Sequence, residues 1–255
     1  MDRMRDHWRR FAREDAMYYV GTNREKWDPA DFYSVGRRFV ADAIAWAGDG
    51  IEQGCVVEIG CGTGRMLTHF APYFDRVEGF DIAPEMIETA RAHGLPDNVQ
   101  TTISSGADLA PLSDESVNLV FSAQVFQHIP DPDVIASYIA ESFRVLKSGG
   151  RAILHFDTRP RGLTRRLVMS LPDFLLPRTR RRFIRRYPLP ASWPADRARA
   201  AGLRLVDERA PGTEAHMLLL EKPKGSGGGL ADREEVLGLE AGASHQGTVD
   251  LVSAQ

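Results

Sequence analysis

Alternating glycines make the stretch Val56–Met66, VVEIGCGTGRM, the part of this chain best suited to bind a ligand. Gly60, Gly62 and Gly64 follow a strand-like run and open a helical one. A glycine-rich turn in that setting lets a ligand approach the backbone closely. Glu58 adds a carboxylate just before the turn. A carboxylate there suits a ligand with an ammonium group better than one with a pyrophosphate.

Two common nucleotide motifs differ from this turn. A nucleoside triphosphate site needs G-x-x-x-x-G-K-[ST], and the sequence contains no such run. A dinucleotide site has G-x-G-x-x-G, and Arg65 stands where the third glycine normally permits close packing of helix on strand. Asp81, at the end of the next predicted strand, can accept hydrogen bonds from both ribose hydroxyls of an adenosine group. The pattern therefore favours an adenosine ligand and disfavours a dinucleotide.

The elements around the turn alternate between short apolar strands and amphipathic helices, which predicts a parallel sheet with helices on both faces. The predicted strands are Cys55–Ile59, Val77–Asp81, Val99–Ser104, Val117–Ser122, Arg151–Phe156, Leu203–Glu208 and His216–Leu220. The predicted helices are Arg65–Ala71, Pro84–His93, Pro132–Leu146 and Ala195–Ala201. We expect Ser148–Gly150 to separate the third of these helices from the strand that follows it.

Three regions flank or interrupt this alternation. Residues 1–50 have helical periodicity, and residues 51–224 form the predicted α/β domain. Segment 159–190 has ten arginines and one acidic residue, with leucine and phenylalanine between them. It could be a solvated helical cap, or it could bind an anionic ligand, an anionic membrane surface or RNA phosphates. Residues 225–255 start as a glycine–serine linker, and the rest is either a natural tail or an appended peptide.

The overall composition is that of an ordinary soluble protein. Hydrophobic residues make up 43% of the 255 residues and the net charge is −3, so DNA is not an expected partner. Cys55 and Cys61 fit neither a disulfide framework nor a zinc site, and no metal site is expected. The sequence has no long apolar run and a charged N-terminus, so we expect a cytoplasmic protein. The oligomeric state cannot be read from these features.

Five ordered motifs resemble those of class I S-adenosylmethionine-dependent methyltransferases that act on small molecules. The motifs are Glu58–Arg65, Asp81, Gly106–Leu109, Asn118–Pro130 and Arg144–Gly150. The resemblance implies a Rossmann-like, seven-stranded, mostly parallel sheet of order 3-2-1-4-5-7-6, with the last strand antiparallel. It also implies a helical lid in residues 1–50 and a substrate cap in the basic insertion after the fifth strand.

The resemblance implies S-adenosylmethionine as cofactor and gives its site residues their roles. Glu58 would lie near the methionine amino group and Asp81 would bind the ribose hydroxyls. Asp108 would accept a hydrogen bond from the adenine amino group. The complete set of implied cofactor residues is Glu58, Gly60, Cys61, Gly62, Gly64, Arg65, Asp81, Ile82, Met86, Ala107, Asp108, Leu109, Ser122, Ala123 and Gln124.

Four residues are candidates for catalysis or substrate binding. His128 follows the fourth strand and is the candidate base; alternatively, it caps or orients the next helix. Tyr18 and Tyr19 are candidates for the substrate lid or for the core, and Gln127 is a further candidate substrate contact. The segment Ser122–Val125, SAQV, is unlike the Asp/Asn-Pro-Pro-Tyr of many exocyclic-amine methyltransferases. This difference favours an oxygen, carbon or nitrogen atom of a small molecule as acceptor. The apolar residues of segment 159–190 would suit a lipid-like acceptor, and its arginines would suit an anionic one.

Other functions remain open beside this prediction. The chain could be a non-catalytic binding module that docks through its basic insertion, or a methyltransferase that acts on a peptide such as its own tail. A nicotinamide oxidoreductase is disfavoured by Arg65. The intact glycines and Asp81 favour the enzyme, since loss of activity would permit the cofactor site to decay.

Overall fold

The computed structural model of the chain describes residues 2–21, 26–160, 175–176, 184 and 186–224. The predicted basic insertion, 159–190, falls largely outside these ranges, and the predicted linker and tail, 225–255, falls wholly outside them. No helix within the described ranges is long and apolar enough to cross a membrane.

The strands form one twisted layer with the predicted order. In chain order they are β1 (Cys55–Ile59), β2 (Arg76–Asp81), β3 (Val99–Ile103), β4 (Val117–Ser122), β5 (Leu146–Phe156), β6 (Arg204–Arg209) and β7 (His216–Glu221). The sheet has the order β3-β2-β1-β4-β5-β7-β6. Strands β1 to β5 pair in parallel, and β7 is antiparallel to both of its neighbours. The Rossmann-like architecture expected from the sequence is therefore confirmed.

The described helices are α1 (Asp2–Val20), α2 (Pro29–Ala47), α3 (Leu67–Phe70), α4 (Pro84–Ala92), α5 (Pro132–Val145) and α6 (Trp193–Ala200). Side-chain caps start α2 and α5, since the carboxylates of Asp28 and Asp131 accept backbone N–H groups of the first turn. Helix α1 is interrupted at Asp15, whose backbone is extended at φ −169° and ψ 89°. The Asp15 carboxylate accepts the N–H of Tyr18 at 3.0 Å, so it caps the turn that resumes the helix.

Helices cover the sheet on both faces. Val56 on β1 points into a core shared with α2 and α3, whereas the next residue, Val57, points into a core shared with α5 and α6. Leu119 and Val120 on β4 divide between the same two cores. All five residues of β1 are buried, as expected for a parallel strand that is covered on both sides.

The parallel strands all end at the same edge of the sheet. The turn at Gly60 follows β1, Asp81 ends β2, and Gln124 comes two residues after β4. In open parallel sheets, ligands bind in the crevice outside these carboxyl ends. The fold therefore gathers the residues singled out in the sequence at one edge.

Two predicted boundaries were wrong. Strand β5 begins at Leu146, directly after α5, so Ser148–Gly150 lies inside the strand and does not separate it from the helix. These residues pair with the chain after β7, where Gly149 donates to the Lys222 carbonyl at 2.8 Å. The predicted helix Arg65–Ala71 is confined to Leu67–Phe70, because the preceding residues form the turns of the glycine loop.

Arg144, from the predicted motif before β5, fastens the loop that follows β3. Its guanidinium donates to both carboxylate oxygens of Glu141, to Asp114 and to the carbonyl groups of Leu109 and Leu112. Glu141 also accepts the N–H of Leu109 at 2.9 Å. This network fixes the segment after β3 against α5.

Candidate functional site

The turn after β1 is held against the neighbouring strand. The N–H groups of Gly60 and Cys61 donate to the Phe80 carbonyl at 2.7 and 3.0 Å. Gly60 and Gly62 have φ values of +73° and +53°, in the left-handed region that favours glycine. A Cβ at Gly60 would lie 2.3 Å from the side chain of Val125. The turn therefore presents bare backbone at a point where no side chain fits.

Asp81 connects this turn to the start of α4. One carboxylate oxygen accepts the N–H of Gly62 and the other accepts the N–H of Ala83, each at 2.9 Å. A carboxylate oxygen can accept a second hydrogen bond, so both oxygens can also receive ligand hydroxyl groups. Burial raises the pKa of Asp81 to about 6, against the opposing effect of the backbone hydrogen bonds.

Glu58 and Arg65 bring a carboxyl group and a guanidinium close to each other at the glycine turn. Glu58 is 0% exposed, and within the described residues neither of its carboxylate oxygens has a hydrogen-bond partner. Burial raises the pKa of Glu58 well above its usual range, and the opposing effect of Arg65 is smaller. The Arg65 guanidinium donates to Gln124 Oε1 at 3.2 Å and lies 5.0 Å from the Phe32 ring. A buried carboxylate without a partner is costly, which points to a positively charged ligand group.

The end of β4 lies beside the glycine turn and forms a further part of the site. Ser122 donates its hydroxyl to the Ile59 carbonyl at 3.2 Å, so its side chain joins the sheet. Ala123 and Gln124 line the cleft. Gln124 has φ +62°, which is unusual for a residue with a side chain, and its N–H donates to His155 Nδ1 at 3.0 Å.

The segment after β3 contributes different residues from those predicted. Ser104 and Gly106 line the cleft, whereas 107–109 lie beyond it. The Asp108 carboxylate accepts the hydroxyl of Ser105 at 2.8 Å and caps a local turn. The predicted adenine contacts of 107–109 stay a prediction.

Helix α1 covers the cleft and reaches the glycine turn, since a Cβ at Gly62 would lie 3.1 Å from the Val20 side chain. Its contributions to the lining are Met4, Trp8, Tyr19 and Val20. Tyr19 is buried and stacks on Phe11 with ring centroids 4.2 Å apart, so it belongs to the core as well as to the cleft wall. Arg9 and Arg13 donate to Glu85 in the first turn of α4, which attaches α1 to the site.

His128 lies in a single 3₁₀ turn, Phe126–His128, and lines the cleft. The Trp8 ring meets it edge-on with centroids 5.6 Å apart. Its Nε2 lies 3.1 Å from the side-chain nitrogen of Gln127. Asp131 is the N-cap of the following helix, so the alternative role of His128 as that cap is not seen.

These residues surround a cleft whose empty space, counted out into open solvent, is about 840 Å³. The predicted site residues that line it are Tyr19, Gly60, Cys61, Gly62, Arg65, Asp81, Ile82, Met86, Ala123, Gln124 and His128. The predicted site residues outside its lining are Tyr18, Glu58, Gly64, Ala107, Asp108, Leu109, Ser122 and Gln127. In the described ranges, no cluster of three or more His, Cys, Asp or Glu side chains could hold a metal ion.

Several lining residues were missed in the sequence. Trp8 showed helical periodicity, and nothing in that pattern indicated which side of the helix faces a ligand. Gly106 belongs to the predicted motif Gly106–Leu109 but was given no contact of its own, and Ser104 lies two residues before that motif. Tyr138 is inside α5 and carries no local signal; its hydroxyl lies 3.2 Å from Ser104 Oγ.

Residues 57–154 match a family model described as a methyltransferase domain. Over 101 residues the chain is 36% identical to a ubiquinone biosynthesis O-methyltransferase of Xanthomonas oryzae pv. oryzae, and 34% identical to the protein of that name from Xanthomonas euvesicatoria pv. vesicatoria. Each match covers 39% of this chain and 41% of the relative, so the chain matches less than half the length of these relatives.

Solved structures share the fold at low sequence identity. Magnesium protoporphyrin IX methyltransferase from Synechocystis PCC 6803, solved with bound S-adenosylhomocysteine, aligns with TM-score 0.58 and 19% identity over 86% of this chain and 97% of that chain. A methyltransferase from Methanosarcina mazei aligns with TM-score 0.56 and 19% identity over 68% of this chain and 95% of that chain.

Replacing Gly60 by alanine should destabilise the fold more than the same change at Gly212. Both glycines have positive φ, at +73° and +76°, but a Cβ at Gly212 would meet nothing within 4 Å. We expect Gly212→Ala to cost about 1–2 kcal/mol through the backbone alone. Gly60→Ala should cost about 1–3 kcal/mol more, because the methyl group overpacks against Val125. Urea unfolding measures both changes, and equal losses would contradict the close packing of the turn.

Replacing Glu58 by glutamine should stabilise the ligand-free protein at pH 8 by about 1–3 kcal/mol, because it removes a buried charge without a partner. Because the pKa of Glu58 is raised in the folded protein, this carboxyl group holds its proton more tightly in the folded state than in the unfolded state. The wild type therefore loses stability as pH rises through that pKa. The advantage of Glu58→Gln should therefore shrink as pH falls towards 5.

Urea unfolding at pH 5 and pH 8 measures this difference. Glu88→Gln is the matched control, since Glu88 is an exposed residue of α4 with no burial cost to relieve. A Glu58→Gln variant less stable than wild type at pH 8 would contradict the account of this carboxylate.

Proposed function

We propose that the chain is a class I S-adenosylmethionine-dependent methyltransferase that methylates a hydroxyl oxygen of a small, largely apolar molecule. The observation that carries this proposal is the cleft at the carboxyl ends of β1, β2 and β4. Its lining combines polar groups, namely the glycine turn, Arg65 and Asp81, with apolar and aromatic residues of α1.

The polar residues of the site fit the cofactor. Among the described residues Glu58 has no hydrogen-bond partner, so its buried carboxyl group is available for the ammonium group. The turn at Gly60 and Gly62 presents bare backbone to the ligand. Asp81 retains accepting capacity for the ribose hydroxyls. When bound, S-adenosylmethionine supplies a sulfonium methyl group that passes to the acceptor oxygen, leaving S-adenosylhomocysteine as the hydroxyl loses its proton.

The protein contributes orientation and exclusion of water. Helix α1, attached to α4 through Glu85, covers the cleft and limits the access of water to it. The turn after β1, held by the Phe80 carbonyl and the Asp81 carboxylate, would keep the cofactor in one orientation toward the acceptor. Such positioning can supply a large share of a rate enhancement, and it matters most when the transferred group is already activated.

An oxygen acceptor is supported by the curated relatives, which are named as O-methyltransferases. An apolar acceptor is supported by the wall made of Met4, Trp8 and Tyr19. His128 lies on the same side and would accept the proton of the hydroxyl at a ring nitrogen. An acidic phenolic hydroxyl loses its proton most easily, so we propose phenols as the acceptor class.

Incubation with S-adenosylmethionine and a panel of phenols, aliphatic alcohols, amines and carboxylic acids tests this function. We expect a mass gain of one methylene on a phenol, with equimolar S-adenosylhomocysteine. Asp81→Ala should lower kcat/KM about tenfold or more, because the ribose contact is lost. A tenfold loss corresponds to about 1.4 kcal/mol of transition-state stabilisation. Asp97→Ala, an exposed control, should leave it unchanged. Methylation of amines alone would contradict the oxygen acceptor.

The role of His128 predicts a dependence on the acidity of the acceptor. His128→Ala should lower kcat by about 10²–10⁴-fold for an ordinary phenol. The loss should become much smaller for 2,4-dinitrophenol, which is already ionised at neutral pH and needs no base. The affinity for S-adenosylhomocysteine should change little, as measured by calorimetry. The same loss of kcat for both acceptors would show that His128 is not the base.

A further inference from the structure

We propose that His155, which lies outside the cleft, is a positioning residue that sets the cofactor end of the site by holding Gln124. The proposal rests on the proposed function for the identity of the ligand. His155 is near the end of β5, is 8% exposed and does not line the cleft. Its effect on the ligand therefore has to pass through other groups.

The hydrogen bonds of His155 define its protonation and its tautomer. Nδ1 lies 3.0 Å from the N–H of Gln124, and a backbone N–H can only donate, so Nδ1 accepts. Nε2 lies 2.9 Å from the carbonyl of Glu214, which can only accept, so Nε2 carries the hydrogen. Burial lowers the pKa of His155 to about 4, which keeps the ring neutral near pH 7.

Gln124 needs such a support because of its backbone conformation. Its φ of +62° is in the left-handed region, which is unfavourable for a residue with a side chain. The hydrogen bond to His155 holds the peptide group in this conformation. In this conformation the Gln124 side chain accepts from the Arg65 guanidinium at 3.2 Å.

Arg65 carries the effect of His155 to the cofactor. It lines the cleft, is 4% exposed, and its positive charge acts on the buried Glu58 carboxylate. A shift of Gln124 would therefore move both a wall of the cleft and the cation beside the carboxylate that receives the ligand's ammonium group. His155 thus determines cofactor affinity through Gln124 and Arg65.

Glu214, on the far side of His155, is itself held in place. Its carboxylate pairs with Arg159 at 2.7 Å and with Arg186 at 3.0 Å. These arginines fix the residue whose carbonyl orients the His155 ring. The support of Gln124 therefore extends to the described ends of the basic insertion.

Two substitutions separate positioning from packing. His155→Phe keeps the volume of the ring but removes the acceptor, whereas His155→Asn places a carboxamide oxygen near the position of Nδ1 but leaves a cavity. A packing role would make the asparagine variant the more defective in binding, and a positioning role would make the phenylalanine variant the more defective.

Calorimetric titration with S-adenosylhomocysteine measures the affinity, and thermal unfolding of the same samples measures stability. We expect Kd to rise about tenfold or more for His155→Phe and to stay within about threefold of wild type for His155→Asn. His216→Phe is the matched control: His216 is 0% exposed on β7 and bonds to Glu208 and Thr158. The His216→Phe variant should be less stable than wild type, but its Kd should stay within about threefold of the wild-type value.

An unchanged Kd in His155→Phe would overturn the positioning role. A loss of affinity in His155→Asn or in His216→Phe as large as that in His155→Phe would overturn it too. If either His155 variant does not fold, His155→Gln gives a second comparison. It can retain the contact to Glu214 but lacks the acceptor for Gln124, and it should bind as weakly as His155→Phe. Wild type that is folded but binds no S-adenosylhomocysteine would overturn the proposed function itself.

Discussion

The two hydrogen bonds accepted by the Asp81 carboxylate are the contacts on which the rest of the site depends. One fixes the glycine turn through Gly62 and the other fixes the start of α4 through Ala83. The first turn of α4 carries Glu85, which accepts from two arginines of α1. The Asp81 side chain thereby positions both the glycine turn and, through α4, the helix α1 that covers the cleft. That side chain also retains accepting capacity for a ligand.

The site contains several features that a fold without a ligand would avoid. Glu58 is buried without a partner among the described residues, Gln124 has a left-handed backbone, and Gly60 leaves backbone bare. Each of these has an energetic cost, and such costs are commonly found where a protein has evolved to bind or to react. The continuous apolar core on both faces of the sheet supplies the stability that tolerates them.

The sequence predicts the centre of the sheet well, because β1 and β4 are largely apolar, fully buried runs. The bounds of β1 and β4 match the predicted ones, and so does the strand order implied by the family resemblance. The start of β5 was missed, because the glycines of Ser148–Gly150 suggest a turn and their pairing with residues after β7 depends on the sheet. The sequence also identifies most of the polar residues of the cleft. Trp8 and His155 escaped detection because each acts through a contact made only in the folded chain, with His128 and Gln124 respectively.

Calorimetric titration of the wild-type chain with S-adenosylhomocysteine, and separately with NAD⁺, tests the central claim most directly. The arrangement of Glu58, Asp81 and the glycine turn predicts binding of S-adenosylhomocysteine at one site per chain, with a Kd on the order of micromolar, about −8 kcal/mol. It predicts no measurable binding of NAD⁺, because Arg65 replaces the glycine that a dinucleotide turn requires. A folded chain that binds NAD⁺ and not S-adenosylhomocysteine, or that binds neither, would contradict the account.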